Sequence, residues 1–263
     1  MPSDNSPRRI AVILGPGGAS RELMNQLQPL LATDRDIEMQ GVFLEEADVQ
    51  RAAELPFVQE LCRVTFAVRE FDNDKFEHAL ALRVRTARRA LAVLAERAGV
   101  HHTFRNVRGS AVTMLGEAVS ESDITVFEPA RLRVAAAIAP PPGTRRRRIA
   151  ALITDRESAS EVLRVAVSLA EEDTRKISVM LAPGKGVETD DLLDCSRGLL
   201  PGMPASVRLI GPGDKDRLAL TLRELLATIL IAPATDEMIN EKMLRFFRER
   251  VRCPVCLVRR VDP

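Results

Sequence analysis

Tryptophan and tyrosine are absent from the 263 residues, and nine phenylalanines make up the aromatic complement. A surface on which the bases of single-stranded nucleic acid stack needs more aromatic side chains than that, so a nucleic-acid partner is not expected. Charge of one sign is lacking as well. The 38 basic residues stand against 37 acidic ones, a formal net charge of +1, and supply no overall field to draw in nucleic acid or an anionic lipid surface. No apolar run approaches the roughly 18 residues of a bilayer span, and MPSDNSPRR has no apolar core of the signal-peptide kind. The expectation is a cytoplasmic protein without a membrane segment. Cysteine is sparse: Cys62, Cys195, Cys253 and Cys256 are too scattered for a disulfide framework. Histidine is sparser still, and His78, His101 and His102 lack Cys or carboxylate partners at metal-binding spacing. No Ser/His/Asp or Cys/His arrangement emerges, which points away from an enzyme.

What the chain does have is the composition of a soluble globular protein, with 46% hydrophobic and 29% charged residues, and an internal echo. RRIAVILGP from Arg8 returns as RRIAALITD from Arg147. Between them lies PPPGTRRRR, Pro140 to Arg148, a proline and charge run of the kind that joins units. The expected organisation is a first repeat over 1–139, a linker over 140–148 and a second repeat over 149–263.

In the first copy, Ile10 to Leu14 is a short apolar run suited to a strand buried on both faces, and Gly15-Pro16-Gly17-Gly18 ends it. A helix opens at Ala19-Ser20 with Leu23, Leu27, Leu30 and Leu31 at helical spacing. Met39 to Leu44 predicts a second strand, followed by the acidic turn Glu45-Glu46. Residues 49–70 read as irregular, with short surface helical turns over VQRAAELPFVQEL, residues 49–61. From Asp72 or Asp74 to Gly99, apolar residues Phe76, Leu80, Val84, Ala87, Leu91 and Leu94 predict a long amphipathic helix. Strands over Thr103–Val107 and Asp123–Phe127 flank a helix over Val112–Val119. The copy then shortens, with Val134–Ala139 as a short fifth strand or a helical turn.

The second copy repeats the order: a strand over Ile149–Thr154, a helix to about Glu172, strands at Ile177–Leu181, Ala205–Ile210 and Thr228–Ile231, and intervening helices near 189–199 and 218–226. A helix over 236–250 leads to a last strand at Cys253–Val258. Where the first copy has the segment 49–98, the second has far less. Strands alternating with helices predict an α/β fold, with two tandem open parallel sheets covered by helices.

At RCPVCLV, residues 252–258, and at FRNVRGSAVTMLGEAVSESDITVF, residues 104–127, the chain resembles the universal stress protein family in its tandem form. That resemblance implies an adenine-nucleotide α-hydrolase-like sheet. It also implies pairing through last strands, giving a homodimer or, in a tandem chain, an internal pseudo-dimer. ATP-binding members have an acidic residue after the first strand and a G-x-x-G-x9-G-[ST] loop after the fourth. Here the fourth strands are followed by Glu128-Pro129-Ala130 and Ala232-Pro233-Ala234-Thr235, without the glycines that let backbone N–H groups approach a triphosphate. Only Asp155 matches the acidic position.

Two candidate ligand-binding positions follow. Gly15, Gly17, Gly18 and Ser20 lie where an anion could meet a helix N-terminus, set against the simpler reading of a tight strand-to-helix turn. Asp155 lies where the family contacts adenine or ribose, set against helix capping. Cys253 and Cys256 satisfy C-x-x-C but lead into a strand, which favours a structural role. Arg145 to Arg148 is read as a solvated linker run. The functional expectation is a non-enzymatic binding or regulatory module of the stress response, with an unidentified protein partner, no metal and no bound ATP. The alternative is an adenine-nucleotide or small-anion binder using Gly15–Ser20 or the Asp155 crevice, with slow hydrolysis.

Overall fold

A computed structural model describes residues 7–15, 20–33, 36–61, 65–130, 147–184 and 186–260. The expected fifth strand at Val134–Ala139 and most of the proline-arginine linker lie outside these residues.

The first half runs β1 (Arg8–Leu14), α1 (Ser20–Thr33), β2 (Ile37–Glu46), α2 (Ala47–Ala53), β3 (Gln59–Leu61), β4 (Val68–Glu70), α3 (Asn73–Ala98), β5 (His101–Gly109), α4 (Ala111–Glu121) and β6 (Ile124–Phe127). The second runs β7 (Ile149–Ile153), α5 (Arg156–Leu169), β8 (Ile177–Leu181), α6 (Thr189–Leu199), β9 (Ser206–Leu209), α7 (Lys215–Glu224), β10 (Ile229–Pro233), α8 (Asp236–Ile239), α9 (Glu241–Glu249) and β11 (Val255–Val258).

The α/β class is as the sequence implies, but the number of sheets is not. Among the described residues a single nine-stranded sheet runs β5-β2-β1-β6-β11-β10-β7-β8-β9. Each half is parallel within itself, and the halves meet where β11 pairs antiparallel with β6, Val255 opposite Phe127 and Val258 opposite Ile124. The physical reason lies in β6. All four of its residues are buried and apolar or hydroxyl-bearing, and a strand of that kind cannot stand as a solvated edge. β11 supplies its missing neighbour, so one last strand serves both halves.

Strand alternation sorts the core into two layers. Ile10, Val12 and Leu14 face α1, α3, α5 and α6. Ala11 and Ile13 face the other way, toward α4, α7 and α9. Side chains also tie the halves together, through the ion pair of Arg8 in β1 with Glu161 in α5 at 3.0 Å and the hydroxyl contact of Thr33 in α1 with Ser168 in α5 at 2.8 Å.

The long helix α3 has the bounds the sequence predicts. Asp72 caps its start by accepting from the Lys75 N–H, and Gly99 ends it in the left-handed conformation, φ 68°. It can lie close to the sheet because Gly41 in β2 has no Cβ: one placed there would sit 2.6 Å from Leu91 and 2.9 Å from Phe104. The segment before it differs from expectation. Only α2 is helical, and β3 and β4 form an antiparallel hairpin instead of further turns. The predicted helix over 236–250 is also divided, because the Asn240 side chain accepts from the Met243 N–H and starts α9 afresh. Among the described residues no helix is long and apolar enough to cross a membrane.

Candidate functional site

In open α/β sheets, ligands sit beyond the carboxyl ends of the strands. Here a cavity of about 650 Å³ opens at the carboxyl ends of β1, β2 and β6, within the roughly 300–1,000 Å³ typical of small-molecule sites. Its floor is apolar: Leu14 of β1, Leu44 of β2, Phe127 of β6, Leu80 of α3 and Leu115 of α4. The β3–β4 hairpin and the start of α3 form its outer wall through Glu60, Arg69, Glu70, Phe71, Lys75 and Phe76. Arg248 enters from α9 in the other half.

The charges on this wall are unequal. Six carboxylates, Glu45, Glu46, Glu60, Glu70, Asp72 and Glu128, face four cations, Arg69, Lys75, Arg83 and Arg248. Most of the cations are already held. Arg69 bonds Glu60 at 2.8 Å, Lys75 bonds Asp72 at 2.7 Å, and Arg248 pairs with Glu46. The Arg69 bond keeps the Glu60 carboxyl below its usual range, and that from Lys75 does the same for Asp72. Both carboxylates therefore remain ionised at neutral pH.

An amide just past each fourth strand is already engaged. Pro129 has no N–H, and the Ala130 N–H donates to the Arg248 carbonyl at 2.8 Å. After β10 the Ala234 N–H donates to the Val258 carbonyl at 2.7 Å. A triphosphate needs several such donors at close range.

Of the residues singled out in the sequence, Gly15 lies on the cavity wall, Ser20 is the first residue of α1, and Gly17 and Gly18 lie outside the described residues. Asp155 is elsewhere, at the end of β7, which β6, β11 and β10 separate from β1 in the sheet. The structure thus does not bring Gly15 and Asp155 into one site. Asp155 caps α5, accepting from the Ser158 N–H at 2.7 Å, the Ser158 hydroxyl at 2.7 Å and the Thr154 hydroxyl at 2.8 Å. Partial burial pushes its pKa upward, but these donors outweigh it and hold the carboxyl below its ordinary 3.8. Beside it the Gly184 N–H bonds the Thr154 carbonyl at 3.0 Å, joining the loops after β7 and β8.

Cys253 and Cys256 are buried and not joined in a disulfide. Burial pushes the Cys256 thiol up to about 12, the nearby Arg8 charge opposing it weakly, so it is an inert core residue. His101 lies on the edge strand β5, its Nδ1 3.7 Å from Glu38. Among the described residues no group of three or more His, Cys, Asp or Glu side chains could hold a metal. Arg147 bonds Glu171 at 3.0 Å and the Asn25 carbonyl at 3.1 Å, while Arg145 and Arg146 lie outside the described residues.

Sequence reasoning missed Arg248, the Phe71–Phe76 pair and the hairpin carboxylates as parts of one site. The available signals were the acidic turn at Glu45-Glu46 and the insertion found in one copy only.

No protein-family model matches the chain, and no curated protein matches it. Among solved structures it is similar to a universal stress protein from Archaeoglobus fulgidus DSM 4304, at 13% identity and a TM-score of 0.50, over 96% of this chain and 97% of that one. A protein of unknown function from Pseudomonas aeruginosa PAO1 is also similar, at 10% identity and a TM-score of 0.42, over 97% of this chain and 94% of that one. The first likeness is one of fold: the chain has a universal-stress-protein-like architecture.

Proposed function

We propose that the protein is a tandem universal-stress-like, non-enzymatic binding or regulatory module of the stress response, cytoplasmic, which does not use ATP. The observation that carries this reading is the fate of the loops after β6 and β10. Pro129 stands in the first and Pro233 closes β10, and the amides of Ala130 and Ala234 that follow them are bonded within the protein. The first half nonetheless keeps a cavity at the carboxyl ends of its strands. Among the described residues its wall is apolar at the floor and charged at the rim, where Glu60, Asp72 and Glu46 are paired with Arg69, Lys75 and Arg248. Its role is then to hold a ligand against the hairpin wall.

One observation favours the alternative, nucleotide binding at the Gly15–Ser20 turn: Gly15 does line the cavity. The two readings separate on two measurements, nucleotide released from the purified, denatured protein and the thermal shift with excess Mg-ATP. The proposal expects neither stoichiometric nucleotide nor a shift. A shift of several degrees overturns it, because a ligand well above its Kd must stabilise the state it binds.

A further inference from the structure

We infer that the cavity of the first half takes a small organic cation, an ammonium or guanidinium group on an apolar body. This deepens the reading of that cavity as a ligand site and rests on it. Three observations converge.

The first is shape and polarity: a space of about 650 Å³ floored by Leu14, Leu44, Leu80, Leu115 and Phe127 holds the apolar body of a small molecule. The second is charge. Carboxylates outnumber cations on the wall by six to four, and Arg69, Lys75 and Arg248 already face Glu60, Asp72 and Glu46. An entering anion meets a net negative wall whose positive groups are engaged, and an entering cation meets the exposed carboxylates of Glu70 and Asp72 at the rim, while Glu45 deeper in is already paired with Arg108 at 3.4 Å.

The third is aromatic. Phe71 and Phe76 both line the cavity, half-buried, with ring centroids 5.5 Å apart and planes inclined by 50°. Two tilted rings beside carboxylates form the kind of corner that receives an ammonium group, since the negative ring faces attract a cation within about 6 Å of the centroid. In a chain with nine phenylalanines and no other aromatic type but histidine, two meet here, on either side of the acidic start of α3. Glu70 immediately precedes the first ring and Asp72 immediately follows it.

The test compares three probes of similar size, 2-phenylethylammonium, 2-phenylethanol and 3-phenylpropanoate, by ligand-observed NMR titration and thermal shift on the full chain at fixed salt. The ammonium is expected to bind at least about tenfold tighter than the alcohol, and the carboxylate more weakly than either. Glu70→Gln with Phe76→Leu should cost the ammonium about tenfold and leave the alcohol within about twofold. Ala79→Trp, a change at an exposed position on the cavity wall, should abolish binding of both. Equal affinity for ammonium and alcohol, preference for the carboxylate, or no binding of the ammonium overturns the inference, and these outcomes need no variant. The broader proposal fails separately, by a response to Mg-ATP. Silence toward ATP together with silence toward the ammonium defeats the cation alone.

Discussion

The backbone N–H of Ala130, just past β6, donates to the carbonyl of Arg248 on α9 at 2.8 Å. The same arginine turns its guanidinium to Glu46 at the end of β2. One residue of the second half thus closes the fourth-strand loop of the first and braces the cavity wall. Arg248→Ala keeps the main-chain bond and deletes the ion pair. With both side chains more than two-thirds buried, the expected loss is about 1–2 kcal/mol, between the values for exposed and fully buried pairs. It is read as a lower urea midpoint at unchanged m-value, and an unmoved midpoint shows that the pair is structurally idle.

Ending the chain after Arg252 removes β11 and leaves β6 and β10 with open apolar edges. Because the strand serves both halves, the damage is expected to be global. Protection of the β1 and β6 amides against hydrogen exchange should vanish together with that of β7 and β10. Native protection retained in β1 would show that the first half stands alone. With no Trp or Tyr to report, far-ultraviolet circular dichroism and exchange are the suitable probes.

Asp155 makes stability depend on acid. Its folded pKa lies below the ordinary 3.8, so its contribution is present above pH 3.8 and is lost as pH falls through the folded value. Asp155→Ala should cost about 1–2 kcal/mol at pH 7, and Asp155→Asn less, since an amide oxygen still caps. The Asn variant should also show a shallower decline in melting temperature between about pH 5 and pH 3. An equally steep decline would place the acid sensitivity on other carboxylates.

Gly41→Ala presses a methyl group against Leu91 and Phe104. Leu91 is fully buried and has little room to retreat, so a loss of about 1–3 kcal/mol is expected. Adding Leu91→Ala should relieve part of it. The pair of changes then costs less than the sum of the two alone, a coupling that thermal melts of the four proteins resolve. Strict additivity would refute the close approach of α3 to β2.

Much of this architecture is legible in the residues, because periodicity is local. Ile177–Leu181 and the helix at Thr189–Leu199 occupy the expected positions, and Asp72 and Gly99 mark α3 at both ends. The hairpin is not legible: Val68 and Leu61 are exposed, so no buried face imposes the alternation by which a strand is recognised. Nor is the single sheet. Whether Phe127 meets Val255 is a matter of which edges remain open after folding, and a linear pattern does not encode it. The cavity shows the same limit, since Arg248 reaches Glu46 across some two hundred residues of chain.

The shared strand β11 also fixes how the molecule is counted. Isolated copies of a half would need a second chain to cover the last strand, and one molecule would then be a pair with two equivalent crevices. Here that junction is made inside one chain, between unlike strands, and the sheet's outer strands are β5 and β9. Among the described residues the two halves of the sheet, four strands and five, are therefore not equivalent. The carboxyl ends of the two halves thus stand in different surroundings, and one ligand is not expected to bind both alike.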